Sequence, residues 1–399
     1  DHEALFASAL KDRPVVLGFF FNSAKEPMTS GVLPDPSVSP ESMAQRDVSF
    51  PLRNGYGANL PSLVASTSVG GHFSPTVDPD GVIRRVPLFL EYKGQYYEAL
   101  SLAMLRLLIG IEHPEHTRLG RMPDLMPGID LLPDAPENLP SGTLWPLEAI
   151  GVGPLAIPVD QRTQALIPFR GPPGSFQYVS LADVYKGTLP VETLRDKIVI
   201  VGTTALGLAD LRSTPVSAVY PGVEVHANLI SGMIQSTSGG IKSIPVNAKA
   251  AEFLALMLLG GVFAWLLPFI APTWSTLVTS LTTLGLLGLN LYAWEAGLVL
   301  PLASLILLLL SIYVLNMAYG YLVEARSKRQ FTELFGQYVP PELVDKMAED
   351  PEKYSMEGKK EVLTVLFSDV VGFTSISERL SPQELAAFIN EYLTTMSQV

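Results

Sequence analysis

The sequence predicts a multi-domain membrane protein: a mixed α/β segment, three membrane-crossing helices, a helical linker, and the opening strand of a further domain. Three observations carry this. Of 399 residues, 48% are apolar and only 17% charged, a balance that leans towards the membrane class. Between Phe253 and Val323 the one charged side chain is Glu295. The flanks are ordinary, mildly acidic segments, with 18 basic and 24 acidic residues over 1–247 and 8 and 13 over 324–399.

The segment 1–247 alternates short apolar runs with helical stretches. Asp1 to Leu10 reads as a helix already under way, so the chain is expected to continue beyond both of its ends. Pro14–Phe21 and Lys197–Gly202 are continuous apolar runs, the pattern of strands buried on both faces. Val77 to Arg85 reads as a turn, at Asp78-Pro79-Asp80-Gly81, followed by a strand. Pro87–Tyr92 and Gln95–Tyr97 then form a hairpin around Lys93-Gly94. Ala99–Ile109 is an apolar helix. Gly110–Leu155 is rich in Pro and Gly and reads as a long surface excursion. Gly222–Met233 is a helix after the turn at Tyr220-Pro221-Gly222. The sequence has no cysteine, so no disulfide staples this segment, and a segment of this size buries a sufficient core without one.

Three apolar spans follow, Ala250–Ile270, Thr273–Trp294 and Leu298–Leu322. Each is long enough for the roughly 20 residues that cross a bilayer. Pro268, Pro272 and the turn Glu295-Ala296-Gly297 separate them. Trp265, Trp274, Tyr292, Trp294, Tyr313, Tyr319 and Tyr321 lie towards the span ends, as an aromatic belt does. A buried bundle in a soluble protein is the alternative, but these spans leave no polar outer face. Glu295 falls in a turn between spans, at the interface with water rather than within the membrane. The third span exits into Glu324-Ala325-Arg326-Ser327-Lys328-Arg329, a basic cluster of the kind that stays cytoplasmic. Three crossings place 1–247 on the opposite side, and a further transmembrane helix before Asp1 is expected to export it.

Beyond the membrane, Phe331, Leu334, Phe335, Tyr338 and Val339 share one helical face. Pro340-Pro341 ends that helix, and Glu342–Met347 can open another. The apolar face suits pairing with its twin in a dimer, and it equally suits packing on its own domain.

The run Val362–Phe367 ends at a carboxylate, Asp369, with Gly372, Phe373 and Thr374 behind it. A carboxylate at a strand end holds a divalent cation without rotamer slack, and such ions take one or two carboxylates plus substrate phosphates. A glycine three residues on lets backbone N–H groups approach phosphate oxygens. An aspartate after a strand is by itself a weak signal.

The octet Phe367-Ser368-Asp369-Val370-Val371-Gly372-Phe373-Thr374, with Ser377-Glu378 after it, resembles the first catalytic motif of the class III nucleotide cyclases. Phe335-Gly336-Gln337-Tyr338-Val339-Pro340-Pro341 and Lys359-Lys360-Glu361-Val362 resemble the approach to that domain. The segment 1–247 resembles the extracellular CHASE sensor domain of the second type. That likeness rests on Asp80-Gly81-Val82-Ile83-Arg84-Arg85, Lys197–Gly202, Ala209-Asp210, Thr214-Pro215 and Pro221-Gly222-Val223-Glu224-Val225-His226-Ala227-Asn228.

The resemblances imply four parts: a mixed α/β extracytoplasmic sensor (1–247), three transmembrane helices (248–323), a cytoplasmic helical linker (324–358), and the start of a ferredoxin-like α+β cyclase domain (359–399). They imply a homodimer in the plasma (inner) membrane, regulated by an unidentified extracytoplasmic ligand. Asp369 would ligate two Mg2+ or Mn2+ ions, with the Val370 carbonyl touching one of them. The backbone at Gly372, Phe373 and Thr374 would hold the triphosphate of ATP, with GTP as the alternative substrate. Attack of the ribose 3′-hydroxyl on the α-phosphate would give cyclic AMP and pyrophosphate. The family's second metal aspartate and its transition-state residues fall downstream of Val399, so this polypeptide alone is expected to be inactive. A receptor whose cyclase domain binds without catalysing is the rival reading.

Other candidates are weaker. His113-Pro114-Glu115-His116 is a loop pair of metal-ligand type interrupted by proline. His226, on an apolar helix, reads as a satisfied structural histidine. Asp210, Arg84 and Arg85 read as structural ion pairs ahead of a ligand pocket. No basic stripe points to nucleic acid.

Overall fold

The computed structural model describes residues 2–24, 26–67, 69–112, 126–134, 136, 143–204, 210–235, 240–245, 247–335, 362, 364 and 367–397, the side chains of 112, 324–335 and 397 aside. The chain divides into two units, 1–321 and 322–399. In order, the first holds α1 (His2–Leu10), β1 (Leu17–Asn22), β2 (Thr29–Ser30), α2 (Pro40–Ala44), β3 (Gly55–Gly57), α3 (Pro61–Thr67), β4 (Gly70–His72), β5 (Arg85–Pro87), β6 (Phe89–Tyr92), β7 (Gln95–Glu98), α4 (Leu100–Glu112) and β8 (Ile129–Leu132). Then come β9 (Ala149–Val152), β10 (Leu155–Pro158), β11 (Gln164–Leu166), α5 (Leu181–Lys186), β12 (Leu211–Thr214), β13 (Ser217–Pro221), α6 (Gly222–Ile234), α7 (Ala248–Leu266) and α8 (Pro272–Glu295), and α9 (Ala303–Phe335) begins in the first unit and ends in the second.

A four-stranded sheet in the order β2-β3-β1-β4 opens the fold. β1 runs antiparallel to β3 and parallel to β4. Its side chains alternate: Phe19 and Phe21 are buried against Leu90, Tyr92 and Tyr97, while Phe20 is 42% exposed. The apolar run Pro14–Phe21 is therefore a strand buried on one face only, because only one face of this sheet is covered. The hairpin β6–β7 turns at Lys93 and Gly94, both at positive φ (51° and 76°), as the two-residue turn matching strand twist requires.

The main core joins β5 and β6 to α4, α6 and the sheet β10-β9-β8. That sheet corrects the expectation of a surface excursion over Gly110–Leu155. Among the described residues, Gly153 and Pro154 turn β9 into β10, and Leu147, Ile150 and Val152 lie in the core. The guanidinium of Arg46 donates to the carbonyls of Leu131 (2.5 Å) and Pro133 (2.6 Å), fastening this sheet to the rest.

Lys197–Gly202 is a second correction. It forms no strand, and Ile198, Val199 and Val201 are 43%, 48% and 82% exposed. β-Branched residues supply propensity, but a strand exists only with a ladder partner, and none flanks this run among the described residues.

Three helices are long and apolar enough to cross a membrane: Ala248–Phe269, Pro272–Glu295 and Ala303–Val323. Phe263, Leu267 and Leu309 pack at their centre. At Gly260 an added Cβ would lie 2.9 Å from the Leu308 side chain, so the glycine allows α7 and α9 to close up. The outward faces, with Leu258, Leu284 and Leu315 each more than 60% exposed, suit hydrocarbon and not water. The third helix starts at Ala303 rather than Leu298. Pro301 biases its predecessor away from helix, and Leu298 is bridged to Ser243 instead. α9 then continues without interruption to Phe335.

The second unit contains α10 (Phe373–Ser377) and α11 (Pro382–Ser397). Ser381 and Glu384 form a capping box before α11: the Ser381 N–H and hydroxyl donate to the Glu384 carboxylate at 2.9 and 2.7 Å, and the Glu384 N–H returns to the Ser381 oxygen. The buried strand expected at Val362–Phe367 is corrected in part. Its described residues, Val362, Thr364 and Phe367, lie outside any strand, and Val362 and Phe367 are fully exposed. An apolar run becomes a buried strand only when neighbours pair with it, and no strand is present among the described residues of this unit.

Candidate functional site

Asp369 lies outside any helix or strand, just ahead of a tight turn. The Phe373 N–H donates to the Val370 carbonyl at 3.1 Å, and Gly372, at φ 75°, leads into α10. An added Cβ at Gly372 would meet no atom within 4 Å. The glycine is therefore required by the left-handed backbone rather than by crowding, and a side chain there is strained whatever the space. Asp369 is exposed, and no hydrogen bond or ion pair engages its carboxylate among the described residues. The Asp369 carboxylate and the carbonyl of the next residue, Val370, are hard-oxygen donors, of the kind that suits Mg2+ or Mn2+. It fits part of such a site, because no group of three His, Cys, Asp or Glu side chains gathers anywhere among the described residues. Phe373 and Thr374 open α10, next to this turn.

In the N-terminal segment, the charged residues of the sequence motifs are structural. Arg84 pairs with Asp78 (3.0 Å) and Asp80 (2.8 Å), and Arg85 with Asp78 (3.3 Å). The bond from Arg84 lowers the Asp80 carboxyl below its ordinary range. These pairs close the Asp78–Gly81 turn, as expected. Asp210 meets Arg212 at 3.3 Å, and its carbonyl accepts the Gly222 N–H at 2.9 Å.

The stretch Pro221–Asn228 is a clasp whose role the sequence did not disclose. Glu224, 2% exposed in the first turn of α6, accepts from the Gly174 N–H (3.1 Å), the Phe176 N–H (3.3 Å) and the Tyr178 hydroxyl (2.6 Å). Burial first, then this bond, raises the Tyr178 phenol above its usual range. One turn on, Asn228 accepts the Arg170 N–H at 2.9 Å and donates to the Tyr220 hydroxyl at 2.7 Å. Two carboxamide or carboxylate groups on one helix thus hold the loop 170–178. Glu224→Ala strands three donors and is expected to cost about 3 kcal/mol, against about 1 kcal/mol for Tyr178→Phe. Hydrogen exchange of the α6 amides would measure both, and equal losses would show that the backbone bonds contribute nothing.

Two histidines are buried without full hydrogen bonding. His72, at the end of β4, is 0% exposed; its ring stands edge-on to Phe19 and Phe21, with centroids 6.5 and 6.2 Å away. Neither of its nitrogens has a partner among the described residues, nor does Nδ1 of His226. His226 is thus structural and buried, but not satisfied as expected. Burial, reinforced by the His226 and Arg53 charges, pushes His72 down to about 3, and burial alone pushes His226 down to about 4. His72 carried no sequence signal, since a lone histidine after two glycines has no pattern.

Several expectations lie outside the described residues: His113–His116, Ala209, the Glu342–Met347 helix, the approach residues Gly336–Pro341 and Lys359–Glu361, and the side chains of the linker face from Phe331 to Val339.

Comparison with known proteins adds two findings. The chain is similar to "Adenylate cyclase 1" of Rhizobium meliloti (strain 1021), 38% identical over 65 residues. That match covers 16% of this chain and 10% of the relative's length, so the chain spans only a small part of that protein. No solved structure matches. The family model described as "CHASE2 domain" matches residues 1–263, which carries it past the mixed α/β segment and into α7. With three membrane-competent helices from Ala248 onward, this is an extracytoplasmic sensor region on a multi-pass membrane protein. Matched over most of its length, the chain belongs to the CHASE2 domain family.

Proposed function

We propose that the chain is the sensor, membrane anchor and first catalytic segment of a receptor-type class III adenylate cyclase. It acts as a homodimer in the plasma (inner) membrane and converts ATP to cyclic AMP and pyrophosphate under control of the outer domain. The parts are the sensor 1–247, the spans 248–323, the cytoplasmic linker 324–358 and the cyclase start 359–399. One observation carries the reading: the Asp369 carboxylate is exposed, and no described residue engages it, immediately before the left-handed turn at Gly372. A carboxylate that no described group holds is available to a ligand. The similarity to an adenylate cyclase supports ATP ahead of GTP.

Divalent cations, when bound, neutralise the triphosphate and lower the barrier to attack by the ribose 3′-hydroxyl. Asp369 would hold Mg2+ or Mn2+ by its carboxylate, and Val370 would add its carbonyl oxygen. The backbone at Gly372, Phe373 and Thr374 would orient the triphosphate. Catalysis would need further metal-binding and transition-state groups besides these, and a second copy would complete the site. α9, unbroken from Ala303 to Phe335, is the mechanical link from membrane to linker. A signal outside would bias whether the two half-sites meet.

Full-length receptor in native membranes, supplied with ATP or GTP and Mg2+ or Mn2+, is expected to release cyclic AMP from ATP. Cyclic GMP as the main product would reassign the substrate. No product from either nucleotide would leave an output domain that binds without turnover.

A further inference from the structure

The chain leaving the sensor is hydrogen-bonded to the turn between α8 and α9 before it enters the membrane. Ile241 is 3% exposed, in the same core as Met233, and lies against Gly232 of α6. Two residues later the Ser243 N–H donates to the Gly297 carbonyl at 2.8 Å, and the Val299 N–H donates to the Ser243 carbonyl at 2.9 Å. Together they make a parallel bridge between Ser243 and Leu298. Beside it the Lys242 ammonium donates to the Trp294 carbonyl at 2.6 Å and lies 4.9 Å from the centre of the Trp294 ring. The Ser304 hydroxyl, in the first turn of α9, donates to Glu252, the fifth residue of α7. Asn290 of α8 donates to the Leu300 carbonyl at 3.1 Å.

These bonds all sit at one end of the three-helix bundle. α7 begins there, α8 returns there, and α9 departs from there. From the sensor core to the start of α9 there are thus two routes. One is covalent: down α7, around Leu267–Ala271, and back up α8. The other is the bridge, only two residues from a fully packed core side chain. The covalent route passes through two helices whose outer faces are exposed and apolar. The bridge is short, and its donors and acceptors are backbone groups that cannot swing aside as side chains do.

We propose that the sensor acts on α9 directly, through the Ser243–Leu298 bridge to the α8–α9 turn, with α7 and α8 serving as anchor rather than as the route of the signal. Movement of the α6–Ile241 core would shift the start of α9 against the bundle, and the unbroken helix would carry that shift to its cytoplasmic end. This does not depend on what the cytoplasmic domain catalyses.

The test reads α9 itself, in the full chain held in nanodiscs. The sequence has no cysteine, so a nitroxide on Val323→Cys reports one site, where α9 leaves the membrane. Ser243→Pro removes the donor to Gly297. It is expected to change the label's mobility and to speed amide exchange over 297–302 by about 10-fold or more, with the sensor helix α4 unchanged. A Gly-Ser insertion between Ile270 and Ala271 interrupts the α7–α8 route and is expected to leave the label unchanged. A label that responds to the insertion, alone or as well, or that ignores Ser243→Pro, overturns the proposal. If Ser243→Pro disturbs α4, the pair Ser243→Cys with Leu298→Cys replaces it. Mild oxidation is expected to crosslink that pair within one chain, and failure to crosslink overturns the bridge.

Discussion

Asp369→Ala in the full-length receptor is expected to lower cyclic nucleotide formation by about 10^3-fold or more, the scale set by losing a metal-bound carboxylate's several kcal/mol of transition-state stabilisation. The protein is expected to stay folded. Asp369 is exposed, and no described group bonds to its carboxylate, so truncation removes no contact that the fold uses. That separation makes the experiment informative. A buried or paired aspartate would lose activity through misfolding, and the result would say nothing about chemistry. Here, folded and inactive protein is the outcome that places Asp369 in the site. Activity within a few fold of the parent would remove it, and with it the metal reading. Gly372→Ala is a milder companion, because it opposes a φ of 75° without meeting any neighbouring atom. It should cost about 1 kcal/mol locally.

The second large effect is acid instability of the sensor. His72 and His226 each carry a depressed folded value, about 3 and about 4, against 6.5 when unfolded. The unfolded chain therefore binds protons that the folded chain refuses. The stability is fully present above pH 6.5 and is lost as pH falls from 6.5 towards the folded values. Between pH 6.5 and 5 each histidine should cost about 1.5 kcal/mol, or about 3 kcal/mol together, a large share of a domain's usual margin. The groups facing His72 reinforce this: Arg53 and His226 both oppose a positive charge there. Opening free energies from hydrogen exchange of α4 and α6 amides, corrected for intrinsic rates, would follow the loss. His72→Leu should remove about half of the pH dependence and the double change with His226→Leu nearly all. A slope that survives both substitutions would assign acid sensitivity elsewhere.

Much of the fold was legible because its signals are local. The hairpin at Lys93-Gly94 announces itself through turn chemistry, and the helices from Leu100 and from Gly222 through apolar periodicity. The three spans announce themselves through composition alone. The misreadings share one cause. Lys197–Gly202 and Val362–Phe367 have strand composition but no described ladder partner, and Gly110–Leu155 has loop composition but contains strands that found partners. Pairing is a long-range property, and residue type reports it poorly. In the candidate site, Asp369 and Gly372 stood out because a carboxylate and a glycine at fixed spacing are chemically unusual behind an apolar run. Glu224 lay within a motif, yet its partners are 46 to 50 residues away in sequence.

Sequence alone determined what depends on composition and short spacing: an outer α/β region, three helices that must leave water, and a carboxylate–glycine turn. Only the tertiary structure decided which groups meet. It showed that Glu224 holds the loop 170–178, that two histidines are buried with nitrogens that no described residue pairs, and that Ser243 is bonded to the turn ahead of α9. The reason is physical. Helix and span formation are driven by near neighbours and by transfer from water, which residue identity records. Clasps and bridges join backbone and side-chain groups far apart in the chain, and only the packed fold brings them within hydrogen-bonding distance.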